Sequence, residues 1–579
     1  MMKQKVLIIG VDGATYQIIR PMIKEGKLPN FERLINTGVS GDLTTTIPSL
    51  TPTAFTTLMT GVNPGHHGIF DFAGGVHRDY RSRIILNSSN IHVKTIWEII
   101  SEKNKKVISI GVPFTYPPFP VNGIMVSAGM PNPEKGQDVK IFPPEVGKEI
   151  MDYIGGIQHK YLTRRGSGFC GMPQMEFYED LQEKVYYVFE KVRGIFFYLF
   201  NKYEWDIFMV HFNLTDMLQH NFWRFIDPGH VSYDKSLAEH FENTIYKGYQ
   251  DIDKLIGEVL AKTDQETNVI VLSDHGFGPV HYLFNMNYWL EEIGLLKRKK
   301  RYIGRYKVHR TTFQRGLSRL GYQNLADHLP TWLSGMNLPV VRRNIDPGGA
   351  FAFRNQSDRF AEMIDWKRTR AYADVHGINL NLRGREPEGV IEPGKEQEQV
   401  ISYIMNQLLS VRDTETNATI IGEVLKKEDI FKGPCTEEAT DIYFFFKEGY
   451  HHIPSPDFMS KERFTKLNDS IPFSGHHVSH RSTQKGIFLS SGPGMKQSTE
   501  LQEANMMDIA PTILYLLNLE IPAEMEGRVL REAIDEDLLN KRQEMRIENS
   551  EFRVKRERKA LSAREEEKIR EQLKGLGYL

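Results

Sequence analysis

Cysteine is almost missing: Cys170 and Cys435 are the only two in 579 residues, which excludes a disulfide framework and a thiolate-rich metal site. Long apolar runs are missing too. A membrane-spanning helix needs roughly 18 or more apolar residues in succession. The most apolar segment, Val185 to Phe200, is broken by Glu190, Lys191 and Arg193 and reads as an amphipathic helix. Neither sign of charge is in excess. With a formal net charge of −1, no general attraction to nucleic acid or an anionic membrane is expected, so any anion must be attracted locally. The N-terminal MMKQKVLIIGVDG has lysines before an apolar stretch, as a signal peptide does. That stretch ends at Val11 and meets Asp12 without a small-residue cleavage site, so a first β-strand is expected instead. A cytoplasmic enzyme without a membrane span is the expectation from these absences. Rival catalytic motifs are absent as well: no G-x-S-x-G elbow, no H-E-x-x-H and no G-x4-G-K-[ST] phosphate loop.

What is present has the balance of a globular protein, 40% hydrophobic and 25% charged. The length allows a large catalytic domain with insertions. Short β-rich runs alternate with helical patterns: KVLIIGV, KVISIGV, WDIFMVHF, NVIVLS and GIFLSSG. Such runs read as buried parallel strands, so the expected class is α/β with helices on both sheet faces. Because the runs fall at both ends of the chain, one sheet is expected to span most of it. Between Tyr282 and Arg370 the pattern is lost, and the basic cluster Lys297 to Lys307 appears there. We read this stretch as an inserted cap, the cluster being a solvated surface. The expected division is a first core part over 1–281, a cap over 282–370, a second core part over 371–535 and a charged tail over 536–579. Within the tail, Ser562 to Glu565 forms a capping box ahead of Ile569, Leu573 and Leu576, which predicts a terminal docking helix.

Ligands of open α/β sheets bind beyond the carboxyl ends of the strands, and Asp and His collect there. Asp12 ends the first strand. Asp216 and His220 follow WDIFMVHF, four residues apart and so on one side of a helical turn. Asp274 and His275 end NVIVLS, and SGHHVSHR supplies His476, His477 and His480 just before GIFLSSG. Taken singly, each has a bland alternative: a lone Asp after a strand commonly caps a helix. Joint occurrence at successive strand ends favours ligation. Mixed Asp/His donors without cysteine suit zinc, manganese or iron, whereas magnesium and calcium prefer all-oxygen shells. A nucleophile is sought in Ile47 to Phe72, where hydroxyl residues precede AFTTLMTG, a short predicted helix ended by Gly61. A hydroxyl at a helix N-terminus lies where a phosphoryl oxygen can bind, yet Ser and Thr are also the preferred N-caps. From this segment alone, capping and catalysis stay equally open. His66 and His67 are read as fixing the turn after that helix.

VDG with Asp12, TPTAFTTLMTG with Thr51, PGHHGIFDF, TDMLQH and SDHGFG occur in this order. So arranged, they resemble type I phosphodiesterase/nucleotide pyrophosphatase proteins of the alkaline phosphatase superfamily. GKLPNFERLI, INLNLRGREPEG, FLSSGPGMK and MDIAPTILYLLNLEIPAEMEGRVL extend the likeness, most closely to a bacterial and archaeal branch of predicted phosphohydrolases or phosphomutases. It covers most of the chain and is weakest over 282–370. The resemblance implies a three-layer core with a mostly parallel central sheet and two divalent ions, zinc or manganese. One would be held by Asp12, Asp274, His275 and the Thr51 oxygen, the other by Asp216, His220 and one histidine of SGHHVSHR. Thr51 would attack phosphorus, form a phospho-threonine and yield it to water. The partner would be a small anionic phosphate ester, and nothing in the sequence sets the oligomeric state.

The sequence departs from this pattern in informative ways. Nucleotide pyrophosphatases carry a phosphate-binding Asn three residues after the nucleophile, where this chain has Ala54. The sulfatase C/S-x-P-x-R motif is absent. His477 and His480 both match the context of the last ligand. One of them is expected to bind directly, and the adjacent Arg481, which could replace the missing phosphate anchor, favours His480. Alternatives to the hydrolase are a phosphomutase using the same site and a metal-binding protein without turnover; the intact ligand set disfavours the latter.

Overall fold

The computed structural model describes residues 4–74, 80, 84–127, 140–155, 174–299, 304–307, 337–340, 356–453, 462–468, 473–478, 480–548 and 551–556. Cys170, the terminal helix expected from Ser562 and much of the 282–370 insertion lie outside these residues.

All five β-rich runs form strands of one sheet. Among the described residues it has nine strands, in the order Thr499–Asn505, Val39–Thr44, Lys485–Ser491, Thr267–Leu272, Lys5–Val11, Ile207–Phe212, Val107–Ile110, Gly123–Val126 and Ile141–Phe142. Lys5–Val11 lies centrally, parallel to both Ile207–Phe212 and Thr267–Leu272. Lys485–Ser491 runs antiparallel to both its neighbours and Ile141–Phe142 antiparallel to Gly123–Val126, while the other five pairings are parallel, so the sheet is mostly parallel.

Period-two alternation sends successive side chains to opposite faces. Leu7, Ile9 and Val11 enter one apolar core with Val210, Phe212 and the helices Tyr16–Lys24, Leu214–Ile226 and Thr244–Leu260. Val6 and Ile8 enter the other with Met209 and the helices Thr51–Thr60, Ile96–Glu102 and Ile509–Leu516. Strands buried on both faces show no polar alternation, which is why these runs read as continuous apolar segments. The three-layer α/β class follows directly. The apolar segment at Val185 to Phe200 lies in the helix Gln174–Lys202, whose Phe189, Val192, Ile195 and Phe196 pack onto the first core. Among the described residues no helix is long and apolar enough to cross a membrane.

After Thr267–Leu272 the chain leaves the large sheet, to which it returns at Lys485–Ser491. Strands within residues 371–446 build a separate antiparallel sheet. Its order is Ala371–Ala373, Ile378–Leu380, Ile442–Phe446 and Ile421–Lys426. This sheet and the helix Lys395–Leu409 have their own core, including Trp289, Trp366, Tyr372, Ile404 and Phe444. A buried fork from Arg385 to Asp441, at 2.6 and 2.7 Å, and Lys427 at 3.3 Å from Asp441 satisfy its interior charges. Within the basic cluster, the described Arg298 is paired with Glu291 at 2.7 Å. The second module joins the first at both ends of the helix Thr51–Thr60. Ile47 before that helix and Phe70 after it share one apolar cluster with Phe431, Ala439 and Tyr443.

Candidate active site

The central strand ends at Val11, and the next turn is built to carry Asp12 inward. Gly13 has φ +66°, and a Cβ there would sit 3.3 Å from Asp216 Cα, so a left-handed residue without a side chain is required. Gly13 N–H donates to Asp274 Oδ1 at 3.2 Å, and Gln219 Nε2 donates to Gly13 O at 2.8 Å. This one turn therefore ties three strand ends together. Asp216 and His220 sit on the first turns of Leu214–Ile226, their Oδ1 and Nε2 atoms 3.4 Å apart. Asp274 and His275 follow Thr267–Leu272, with His275 Nε2 at 3.2 Å from Asp274 Oδ2 and 3.5 Å from Asp12 Oδ1.

His477 completes the group. Its ring stacks on His275 at 3.6 Å between centroids, and its Nε2 lies 3.9 Å from Asp216 Oδ1. Gly475 makes this approach possible, because a Cβ there would lie 2.8 Å from the Gln219 carbonyl oxygen. His480 does not join the group. It caps a short 3-10 turn, where Ser482 N–H donates to its Nδ1, while Arg481 is held by Glu423 at 2.6 and 3.0 Å and covers the Phe445 ring. The expected anchoring role of Arg481 thus finds its guanidinium already committed to a carboxylate.

The imidazoles share one arrangement. Nδ1 faces a backbone carbonyl in His220 (Gly475 O, 3.0 Å), His275 (Gly276 O, 3.0 Å) and His477 (Ser49 O, 2.7 Å). An Nδ1–H donated outward leaves the Nε2 lone pair pointing inward, the tautomer a metal needs. Two trios, Asp216/His220/His477 and Asp12/Asp216/His275, have ligand atoms all within 4.8 Å of one another.

The charges are uncomfortable without a counter-ion. Burial, then the Asp216 charge, pushes Asp12 well above the usual carboxylate range. Burial, then the Asp12 charge, lifts Asp274 to about 7. Burial acts the same way on Asp216, but His220, His275 and His211 together outweigh it and hold the carboxyl below its usual range. Burial and the neighbouring His275 and His220 hold His477 far below the usual imidazole value. Asp12 Oδ1, Asp216 Oδ1, Asp274 Oδ2 and His275 Nε2 are all buried without a hydrogen-bond partner. Buried acceptors left so are costly, and divalent cations suit this donor set.

Thr51 is the first residue of Thr51–Thr60; the N-cap is Leu50, which makes no side-chain cap. Its hydroxyl is therefore not consumed by capping, and the helix's positive end is left open to an anion. Residues on either side tie the helix to the carboxylate–imidazole group: Ser49 bonds His477, and Phe55 meets His211 edge-on at 4.8 Å. Gly61, at φ +67°, ends the helix, and His67 Nε2 reaches Thr57 Oγ1 at 2.9 Å to brace the following turn.

Sequence reasoning missed His211. Its Nε2 lies 3.0 Å from Asp12 Oδ2, and burial lowers it to about 4. A histidine inside the apolar run WDIFMVHF reads as core; only its place one residue before the strand end could have drawn attention.

The sequence profile described as type I phosphodiesterase/nucleotide pyrophosphatase matches residues 6–456. The chain belongs to this family. Membership in the type I phosphodiesterase/nucleotide pyrophosphatase family makes it an enzyme of the phosphoric ester hydrolase class, and divalent metal ions are the cofactors of that family. Among curated proteins no sequence relative matches. Among solved structures, human ectonucleotide pyrophosphatase/phosphodiesterase 5 is similar at 14% identity and TM-score 0.45, over 92% of this chain and 100% of that one. Phosphonoacetate hydrolase from Sinorhizobium meliloti 1021, bound to phosphonoacetate, is similar at 13% identity and TM-score 0.49, over 89% and 95%.

Proposed function

We propose that this chain cleaves a small phosphate mono- or diester by attack of Thr51 on phosphorus, through a phospho-threonine. In this reading Asp12, Asp274, His275 and Thr51 hold one divalent ion, zinc or manganese, and Asp216, His220 and His477 hold the other. His477 takes the place that Arg481 had argued for His480. The observation that carries the proposal is the set of buried, unbonded acceptor atoms on Asp12, Asp216, Asp274 and His275 beside an uncapped helix that starts at Thr51.

Bound cations would neutralise charge on the phosphate oxygens and favour ionised oxygen nucleophiles. The chain supplies the rest. The first-turn N–H groups and positive end of Thr51–Thr60 face the phosphoryl oxygens. The Thr51 hydroxyl gives its proton to solvent as the Oγ1–P bond forms, the bond from phosphorus to the departing oxygen breaks, and that oxygen leaves with the electron pair and takes up a proton from solvent. Water then attacks phosphorus opposite Oγ1 and loses a proton to solvent, while the Oγ1–P bond breaks and Oγ1 takes up a proton to regenerate the hydroxyl. The outward-bonded Nδ1 atoms keep each ring from rotating between steps.

The test is turnover of nitrophenyl phosphate mono- and diesters with added manganese or zinc, with mass spectrometry of acid-quenched enzyme for phosphate on Thr51. Phosphate on Thr51 passed to water supports the hydrolase. Phosphate returned to the same substrate would redirect the assignment to a phosphomutase. Turnover without any covalent species, undiminished in Thr51→Ala, would overturn it.

A further inference from the structure

Ser49 and His477 grip each other by two hydrogen bonds across 428 residues of sequence. The Ser49 hydroxyl donates to His477 O at 2.6 Å, and His477 Nδ1–H donates to Ser49 O at 2.7 Å. Both residues are fully buried. Ser49 lies on the loop that leads into the helix carrying Thr51, two residues ahead of the nucleophile. The segment carrying His477 is fastened on its other side to the helix of Asp216 and His220. Ser474 N–H donates to His220 O at 2.6 Å, His220 Nδ1 bonds Gly475 O, and Arg224 N–H donates to Ser474 Oγ at 3.1 Å. His476 Nδ1 accepts from the N–H groups of His477 and Val478, closing the turn.

We propose that Ser49 is a positioning residue that couples the seating of the His477 imidazole to the placement of Thr51. The inference rests on the proposed roles of Thr51 and His477. Ser49 fixes the His477 tautomer through its carbonyl, and its hydroxyl locks the backbone that would otherwise let the ring and the nucleophile loop drift apart. A displacement near 1 Å at a reacting atom is enough to cost about a hundredfold in rate, and loss of an outer partner typically weakens metal binding 10- to 100-fold.

Thr483 provides the control. Its hydroxyl also donates to His477 O and to His480 O, but it belongs to the 3-10 turn before Lys485–Ser491, whose link to the nucleophile loop, Thr45 N–H to Gln484 O at 2.9 Å, is between backbone groups and does not involve the Thr483 side chain. The full-length Ser49→Ala and Thr483→Ala proteins are compared with wild type by zinc or manganese titration, thermal melting, and kcat and KM at saturating metal. Ser49→Ala is expected to weaken one of two metal equivalents about tenfold. It should also lower kcat at saturating metal at least tenfold, with KM within threefold. Thr483→Ala should leave kcat within threefold, although both variants lose one bond to the same carbonyl. Equal kcat losses in the two variants, or a metal-saturated Ser49→Ala as fast as wild type, would overturn the coupling while leaving the proposed function standing. Wild type that takes up no metal would overturn both.

Discussion

Asp274→Asn offers a test in which the sign of the effect reverses with metal. Asp274 is fully buried, and burial together with the Asp12 charge raises its carboxyl from 3.8 to about 7. In metal-free protein the native state therefore binds a proton between about pH 4 and pH 7 that the unfolded chain has released. This stability is present below pH 4 and lost as pH rises through 7. Roughly three pKa units at about 1.4 kcal/mol each amount to on the order of 4 kcal/mol. Buried imidazoles such as His67, His211 and His452, lowered to about 3, 4 and 4 chiefly by burial, act in the opposite sense. Raw stability against pH thus mixes the two, and the informative quantity is the difference between wild type and Asp274→Asn, in which imidazoles that do not feel the Asp274 charge, such as His67 and His452, cancel. Urea unfolding of chelator-treated protein should show wild type losing ground to the variant steadily from pH 4 to pH 7. With excess zinc or manganese the trend should invert, because a ligating carboxylate must be deprotonated and bound metal stabilises the native state by mass action. A metal-free difference that is flat, or that favours wild type more as pH rises, would refute the idea that Asp274 is a crowded carboxylate awaiting a cation.

Thr51→Ala should keep fold and metal content and lose turnover by several orders of magnitude, measured as kcat/KM; more than about a tenth of wild-type activity would end the case for covalent catalysis there. His477→Ala should weaken metal binding by at least about tenfold in a zinc titration, while His480→Ala should not, since His480 Nδ1 is engaged with Ser482 outside the group. Equal losses would mean that the segment 473–478 rearranges around either ring. Elemental analysis should find close to two divalent ions per chain, chelation should abolish turnover, and re-addition should restore it. A chain that neither contains nor regains metal would exclude the two-ion reading.

The large sheet and its strand-end acids were legible in the sequence because both follow from local rules. A strand buried on both faces must be a continuous apolar run, as in KVLIIGV and NVIVLS. Acidic residues directly after such runs, as with Asp12 and Asp274, must emerge at the sheet's carboxyl edge. The four-residue spacing of Asp216 and His220 fixed their common side in the same way. The separate antiparallel sheet was not legible, since apolar segments such as Ile442–Phe446 have the same composition whether they pair in the large sheet or in another one. Only long-range pairing distinguishes those outcomes. Nor could sequence choose between His477 and His480, three residues apart on one loop. That choice depends on where the loop is pinned. Ser474 and Gly475 fasten it to the helix of His220 and turn His477 inward, while Glu423, 58 residues upstream, draws Arg481 and its neighbour away. Helices and strands carry their geometry in short-range periodicity. A loop takes its path from partners distant in sequence, so the tertiary structure alone decided which imidazole meets the carboxylates.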